Sequence, residues 1–264
     1  MTGELRLPSV SALVLAGARA SGDPLGLSEN VPSKALIDIH GEPMLARVLR
    51  ALTLSQSVQG PIHVAGLDDD LLQRASGGAA VRSAVSVEGG PAASLLGALA
   101  QDVSIPLLVT TCDHALLTPE MVDHFLEHAI AGGADLTVGL ATRETIEAGY
   151  PQTKRTYLSL GGPELSGCNL FYIATPDAQR AVHFWRAAEQ DRKRPWRIAW
   201  RFGPLTALRI LIGRPGLQKV FDMVSARLGA RIGAVLLPFA EAAIDVDSTA
   251  DLELVRGILA RAKR

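Results

Sequence analysis

A stretch of small residues follows the apolar run Leu13-Val14-Leu15 and reads Ala16-Gly17-Ala18-Arg19-Ala20-Ser21-Gly22-Asp23-Pro24. Backbone N–H groups in such a stretch can approach a phosphate closely, and Lys34, after Pro32-Ser33, supplies a counter-charge nearby. The same residues also fit an ordinary turn between strand and helix. A second candidate is Asp113 in Leu107-Leu108-Val109-Thr110-Thr111-Cys112-Asp113-His114. A carboxylate just beyond an apolar run can hold Mg²⁺ against nucleotide phosphates. It can equally cap a helix or close a turn. His114 suits packing or hydrogen bonding better than ligation. The third candidate is Ile244-Asp245-Val246-Asp247-Ser248-Thr249-Ala250-Asp251. Alternation sets Asp245 and Asp247 on one face of an extended segment. Ser248 or Thr249 can cap a following helix, with Asp251 in its first turn. Asp251 is thereby accounted for as a helix-start residue. Asp245 and Asp247 are not, and a metal site completed by Asp113 accounts for them.

The elements that must position these residues alternate between strand and helix. Strands are expected at Ala12–Leu15, Ile62–Ala65, Ala84–Val87, Pro106–Thr110, Asp135–Leu140 and Gly167–Ile173. Helical spacing marks Pro43–Leu54, Pro91–Ala100, Pro119–Ile130 with Thr118 as its cap, Pro176–Trp185 and Asp251–Ala262. Leu71–Ala75 reads as a helical turn, and Thr153–Leu160 alternates like a strand in a different setting. Late strands are expected at Val235–Leu237 and Ala243–Val246. This repetition predicts an α/β fold, a three-layer sandwich around a mostly parallel sheet. Ligands then bind beyond the carboxyl ends of the strands, where Gly17, Lys34 and Asp113 would converge.

Composition bounds the remaining options. The chain has 264 residues, 48% of them hydrophobic, and a formal net charge of −1. That length allows one large α/β domain or two small ones, of which a single domain over 1–264 is expected; the composition supplies a substantial core and argues against general nucleic-acid binding. Its two cysteines, Cys112 and Cys168, form no CxxC pair, so neither zinc nor a disulfide framework is indicated. No apolar run is long enough for a signal-peptide core or a membrane span, and a cytoplasmic location is expected. The segment from Arg186 to Gly229 reads as a late helical insert, with helical stretches at Leu205–Ile212 and Leu217–Leu228. Arg192-Lys193-Arg194 lies among Trp185, Trp196 and Trp200. Cations with aromatic anchors can rest against an anionic membrane, here through residues 192–201. The alternative is a helical subdomain whose tryptophans are core or dimer contacts, which also leaves room for a homo-oligomer.

Four features in order resemble the nucleotidyltransferases with a MobA-like NTP transferase fold. They are Leu15-Ala16-Gly17 with its small-residue loop, Lys34 before Gly41 and Pro43, the strand ending at Asp113, and the terminal Ile244–Val255. In that family's usual LAGGxGxRMG loop, Ala18 and Ala20 stand here in place of glycines, and Arg19 is the loop's only cation. The resemblance implies transfer of NMP from an NTP, CTP or GTP being favoured, to a phosphorylated alcohol or sugar. Pyrophosphate is released and Mg²⁺ is required. Leu15, Ala16, Gly17, Ala18 and Arg19 would line the nucleotide, with Ser94 against the base or ribose. Lys34 would neutralise the α-phosphate, and Asp113 with Asp245 or Asp247 would hold Mg²⁺. Lys154 and Arg155 could bind an acceptor phosphate, or be solvated surface charge; Asn169 could hydrogen-bond an acceptor hydroxyl, or be a turn residue. Two other activities fit parts of the pattern: a glycosyltransferase of the related fold using a nucleotide-sugar, and a nucleotide-binding regulator without catalysis.

Overall fold

The computed structural model describes residues 9–17, 23–85, 87, 89–101, 103–190 and 216–262. Strand β1 (Val10–Leu15) has no polar face: Val10, Ala12 and Val14 meet one helical layer, Leu13 and Leu15 the other. Burial on both faces is what a central parallel strand requires. On either side of β1 lie β2 (Val58–Ala65) and β4 (Leu107–Thr111), both parallel to it. Beyond β2, β3 (Arg82–Ala84) is a short parallel edge. On the other side, β6 (Leu165–Ile173) runs antiparallel to both β4 and β5 (Leu136–Thr142). The far edge is β7 (Ile232–Leu236), parallel to β5. The order is β3-β2-β1-β4-β6-β5-β7.

One face of this sheet is covered by α2 (Met44–Leu54), α3 (Asp69–Ala75) and α5 (Pro119–Gly132), which deliver Leu45, Leu49, Leu52, Leu72 and Phe125 to the core. The other face is covered by α4 (Pro91–Leu99) and α7 (Ala178–Gln190) through Leu95, Ala98 and Val182. This is the expected mostly parallel three-layer α/β sandwich. Thr118 caps α5, accepting from the Met121 amide at 3.3 Å, and Gly133 ends it in the left-handed region. A third apolar cluster sits beside the sheet. It packs Ile37, Ile39 and Met44 against Ile244, Val246 and the Leu252 and Val255 side chains of the C-terminal helix. That cluster joins the segment after Lys34 to the segment carrying Asp245 and Asp247, which are remote in sequence.

Three expectations change. Thr153–Leu160 forms no strand; only Leu158 makes an isolated bridge, with Leu165. Its period of two is real, since residues 153, 155 and 157 are half-buried between exposed neighbours. β4 pairs with β6 only at Phe171–Ile173, and beside the start of β6 the segment makes just the two Leu158–Leu165 backbone bonds, too few for a ladder. Ala243–Val246 is also unpaired: a 3₁₀ turn at Ala240–Ala243 leads into an extended segment that buries Ile244 and Val246. The third strand ends at Ala84, where the expected strand began. A short helix not anticipated, α6 (Arg143–Gly149), follows β5, capped by Thr142. Of the Arg186–Gly229 insert, the described part is the end of α7 and α8 (Leu217–Leu228). Its basic aromatic stretch 192–201 lies outside the described residues, as do Leu205–Ile212, Ala18 and Arg19. Among the described residues no helix is long and apolar enough to cross a membrane.

One polar side chain inside the sheet has a measurable consequence. His63 on β2 is 6% exposed, and burial, then the Arg82 charge, pushes its imidazole below the ordinary histidine range. The unfolded chain therefore binds a proton that the folded chain refuses, so stability falls as pH drops below the ordinary value of about 6.5. In thermal melts between about pH 7 and 5.5, His63→Gln is expected to lose less stability than wild type. Equal losses would show that other groups carry the acid sensitivity.

Candidate active site

The end of β1 is tied to both neighbouring strands. The Ala16 amide donates to the Ala65 carbonyl at 2.8 Å, and the Leu15 carbonyl accepts from Cys112 at 3.0 Å. Gly66 lies directly against this turn. A Cβ built on it would sit 2.3 Å from the Cα and the nitrogen of Gly17. Leu15, Ala16 and Gly17 are thus held backbone to backbone at the carboxyl edge of the sheet. The chain is described again at Asp23, which caps the short helix α1 (Pro24–Ser28). One Asp23 oxygen accepts the Leu25 amide at 3.2 Å, the other the Lys34 amide at 2.9 Å. Ser33 caps the 3₁₀ turn Lys34–Leu36. Asp23 thus anchors the backbone of Lys34 at the point where the small-residue loop returns. Asp23→Ala is expected to lower stability by about 1 kcal/mol, the usual worth of a helix cap, and Tm by roughly 2–4 °C. An unchanged melting temperature would show that the loop is held elsewhere.

The Lys34 side chain reaches inward between two carboxylates. Its Nζ donates to Asp113 Oδ2 and lies 3.2 Å from Asp247 Oδ1. Thr111, the last residue of β4, donates its hydroxyl to the other Asp113 oxygen. The Asp113 carbonyl accepts the Val246 amide at 3.0 Å, which fixes the aspartate-bearing segment against the end of β4. Burial disfavours the Lys34 charge. The Asp113 carboxylate, by its charge and its hydrogen bond, and then Asp247 more than offset it, so the ammonium is held charged above the ordinary lysine range.

Asp245 stands in a different arrangement. Its two oxygens accept from Arg155 Nη1 and, at 3.3 Å, from Asn169 Nδ2. Arg155 Nη2 also reaches the Asp245 carbonyl at 3.3 Å and Asp251 Oδ1 at 3.2 Å. Ser248 caps α9 (Thr249–Ala262): its hydroxyl accepts the Asp251 amide at 3.2 Å, and Asp251 in turn accepts the Ser248 amide at 3.0 Å. Burial raises the Asp245 carboxyl above its ordinary range; Arg155 opposes this, while Asp113 and Asp247 add to it. Asn169 holds a left-handed backbone, φ 49°, within β6. Lys154 is exposed. Ser94 is buried on α4 and donates to the Val87 carbonyl at 3.3 Å.

The structure therefore brings Lys34, Asp113 and Asp247 into contact and gathers Arg155, Asp245 and Asn169 into a second cluster. Cys112 is buried; burial, then Asp113, pushes its thiol up to about 12, so it holds no thiolate for nucleophilic work. His114, 1% exposed, is pulled down to about 4 by burial and packs as a neutral ring. Sequence reasoning missed Asp23, Thr111 and Gly66. Asp23-Pro24 is a readable cap-plus-proline helix start. Nothing in the sequence marks Thr111 or Gly66, because their roles depend on which strands are neighbours.

Residues 12–151 match the family model described as the MobA-like NTP transferase domain. The chain belongs to this family. That makes it a transferase of the nucleotidyltransferase type, with the matched region carrying Gly17, Lys34 and Asp113. This MobA-like NTP transferase is similar to a hypothetical transferase of known structure from Thermus thermophilus. The two share 31% identity over 93% of this chain and 100% of that one, with a TM-score of 0.77. It shares its fold with a CMP:2-keto-3-deoxy-manno-octonic acid synthetase complexed with CTP, at 15% identity over 96% and 98% of the chains, TM-score 0.55. A nucleotidyl transferase from Methanothermobacter thermautotroptrophicus has the same fold, at 15% identity over 96% and 99%, TM-score 0.53. No protein of curated function matches the sequence.

Proposed function

We propose that this MobA-like NTP transferase moves a nucleoside monophosphate from an NTP to a phosphorylated alcohol or sugar, releasing pyrophosphate. CTP or GTP is the favoured donor. The observation that carries the reading is the meeting of Lys34, Asp113 and Asp247 beyond the carboxyl ends of β1 and β4. This is where an open α/β sheet binds its ligands.

The donor set fits Mg²⁺. Asp113 and Asp247 offer hard carboxylate oxygens already gathered around one cation, the Lys34 ammonium. Among the described residues no three His, Cys, Asp or Glu side chains form a closed metal cage. Mg²⁺ suits such a site, since it takes one or two carboxylates and completes its shell with phosphate oxygens and water. When bound, the ion would supply charge neutralisation at the phosphates. Lys34 neutralises the α-phosphate as the acceptor oxygen attacks, with its backbone held by Asp23. Asp113, oriented by Thr111, and Asp247 hold the metal. Ala16 and Gly17 present backbone to the nucleotide. Arg155 and Asn169 position Asp245 at the acceptor side.

Incubation with each NTP, Mg²⁺ and a panel of sugar, polyol and glycerol-type phosphates tests this reading. Pyrophosphate release that requires both an NTP and one acceptor, and that vanishes in Asp113→Ala, is the expected result. UDP or GDP release from nucleotide-sugars, without pyrophosphate from any NTP, would overturn it.

A further inference from the structure

We propose that Lys34 is the built-in counter-ion of the Asp113–Asp247 pair, which a divalent cation must displace, so that metal binds weakly alone and tightly together with a nucleoside triphosphate. The inference rests on the nucleotidyltransferase reading for the nucleotide, but its core concerns only three side chains.

Those side chains already hold one cation between them. The Lys34 ammonium already contacts Asp113 Oδ2 and lies 3.2 Å from Asp247 Oδ1. The other Asp113 oxygen is taken by the Thr111 hydroxyl. A metal ion seeking both carboxylates would sit within a few ångströms of the ammonium, and like charges so close repel strongly. Asp245 is engaged in the second cluster, its two oxygens accepting from Arg155 and Asn169. So in the nucleotide-free chain the ammonium neutralises the carboxylates that the metal needs.

Exchange is nevertheless mechanically simple. The Lys34 backbone is fixed by Asp23 and by the Ser33-capped turn, so only the side chain has to move. A lysine carries a compact charge on a flexible four-carbon stem, unlike the rigid fork of arginine. A triphosphate gives that charge a new partner and gives the metal its missing oxygens. Metal and nucleotide must then strengthen each other's binding, since linkage is reciprocal. Metal alone binds weakly because it has to evict a cation that has nowhere else to go.

The test uses the full chain and Mn²⁺ alone, without nucleotide, with free Mn²⁺ read by electron paramagnetic resonance. Lys34→Met is expected to bind Mn²⁺ at least about tenfold tighter than wild type, within the usual range of coupling between two ligands. Lys34→Arg, which keeps the charge, should stay close to wild type. The gain should vanish in Lys34→Met/Asp247→Asn. Equal Mn²⁺ affinity in wild type and Lys34→Met would overturn the proposal, as would a gain that survives the Asp247 change. Wild type gives a second reading that depends on no variant folding: acylation of Lys34, followed by mass spectrometry, should rise several-fold as Mn²⁺ is raised to saturation. Unchanged labelling would count against displacement. Turnover is scored separately as pyrophosphate release by wild type. Its failure would sink the nucleotidyltransferase reading yet leave this nucleotide-free comparison intact.

Discussion

Lys34→Ala is expected to lower kcat for pyrophosphate release by about 10²- to 10³-fold, the usual loss when one preorganised charge-stabilising group is removed. The reason lies in how charge changes during transfer. The α-phosphoryl group passes through a state whose oxygens carry spread negative charge, and the protein contributes positioning and electrostatics rather than covalent chemistry. In the proposed reaction Lys34 meets that charge from a backbone fixed by Asp23 and a turn capped by Ser33. Its side chain is 20% exposed, so water screens it little. KM for the NTP should change less than kcat, because the ammonium matters most where charge develops. Lys34→Arg keeps the charge but brings a rigid planar fork into a space shaped by two carboxylates, and should recover only part of the rate. If Lys34→Met binds Mn²⁺ more tightly, the loss of rate cannot come from missing metal. Steady-state kinetics on folded variants decide the point, and a kcat for Lys34→Ala within about threefold of wild type would remove Lys34 from the chemistry.

The sequence made some of this site legible and hid the rest for physical reasons. β1 and β4 were readable because strands buried on both faces have no polar alternation to confuse. Lys34 and Asp113 were readable because each carries charge beside such a strand or just after an apolar one. The pairing of Asp247 rather than Asp245 with Lys34 was not readable. Alternation places both aspartates on one face, and their different roles follow from the side chains opposite them. Arg155 and Asn169 meet Asp245, whereas Lys34 meets Asp247. Arg155 looked like a cation available to an acceptor phosphate, yet its side chain is 10% exposed and holds Asp245 and Asp251. The period of two in Thr153–Leu160 holds for the half-buried residues 153, 155 and 157 but fails at the exposed Leu158, and it wrongly implied a strand. Periodicity reports burial, but a strand also needs a continuous ladder, and this segment makes only the Leu158–Leu165 bridge.

Gly66 carries the second large effect, and it is one that side-chain chemistry cannot reveal. The residue follows β2 with φ +103°, in a region that side chains other than glycine rarely adopt. An added Cβ would lie 2.3 Å from Gly17, where ordinary contacts are 3.4–4 Å, and the atoms it meets are backbone. Backbone cannot rotate away as a flexible side chain can. Gly66→Ala is therefore expected to cost about 2–4 kcal/mol from combined strain and overpacking. For a domain of this size that lowers Tm by roughly 4–16 °C. The alternative to unfolding is displacement of Ala16 and Gly17, the start of the proposed nucleotide loop. The apparent KM for the NTP should then rise at least about tenfold, since misplacement by an ångström is enough to disrupt positioning. Gly78 provides the control. Its φ of +84° imposes similar strain, but nothing lies within 4 Å of its missing Cβ. Gly78→Ala should show the strain cost of about 1 kcal/mol with an unchanged KM. The difference between the two variants isolates the close approach of the β1 and β2 turns from backbone strain alone. If both lose the same stability and both keep their KM, the contact between Gly66 and Gly17 does not shape the nucleotide loop.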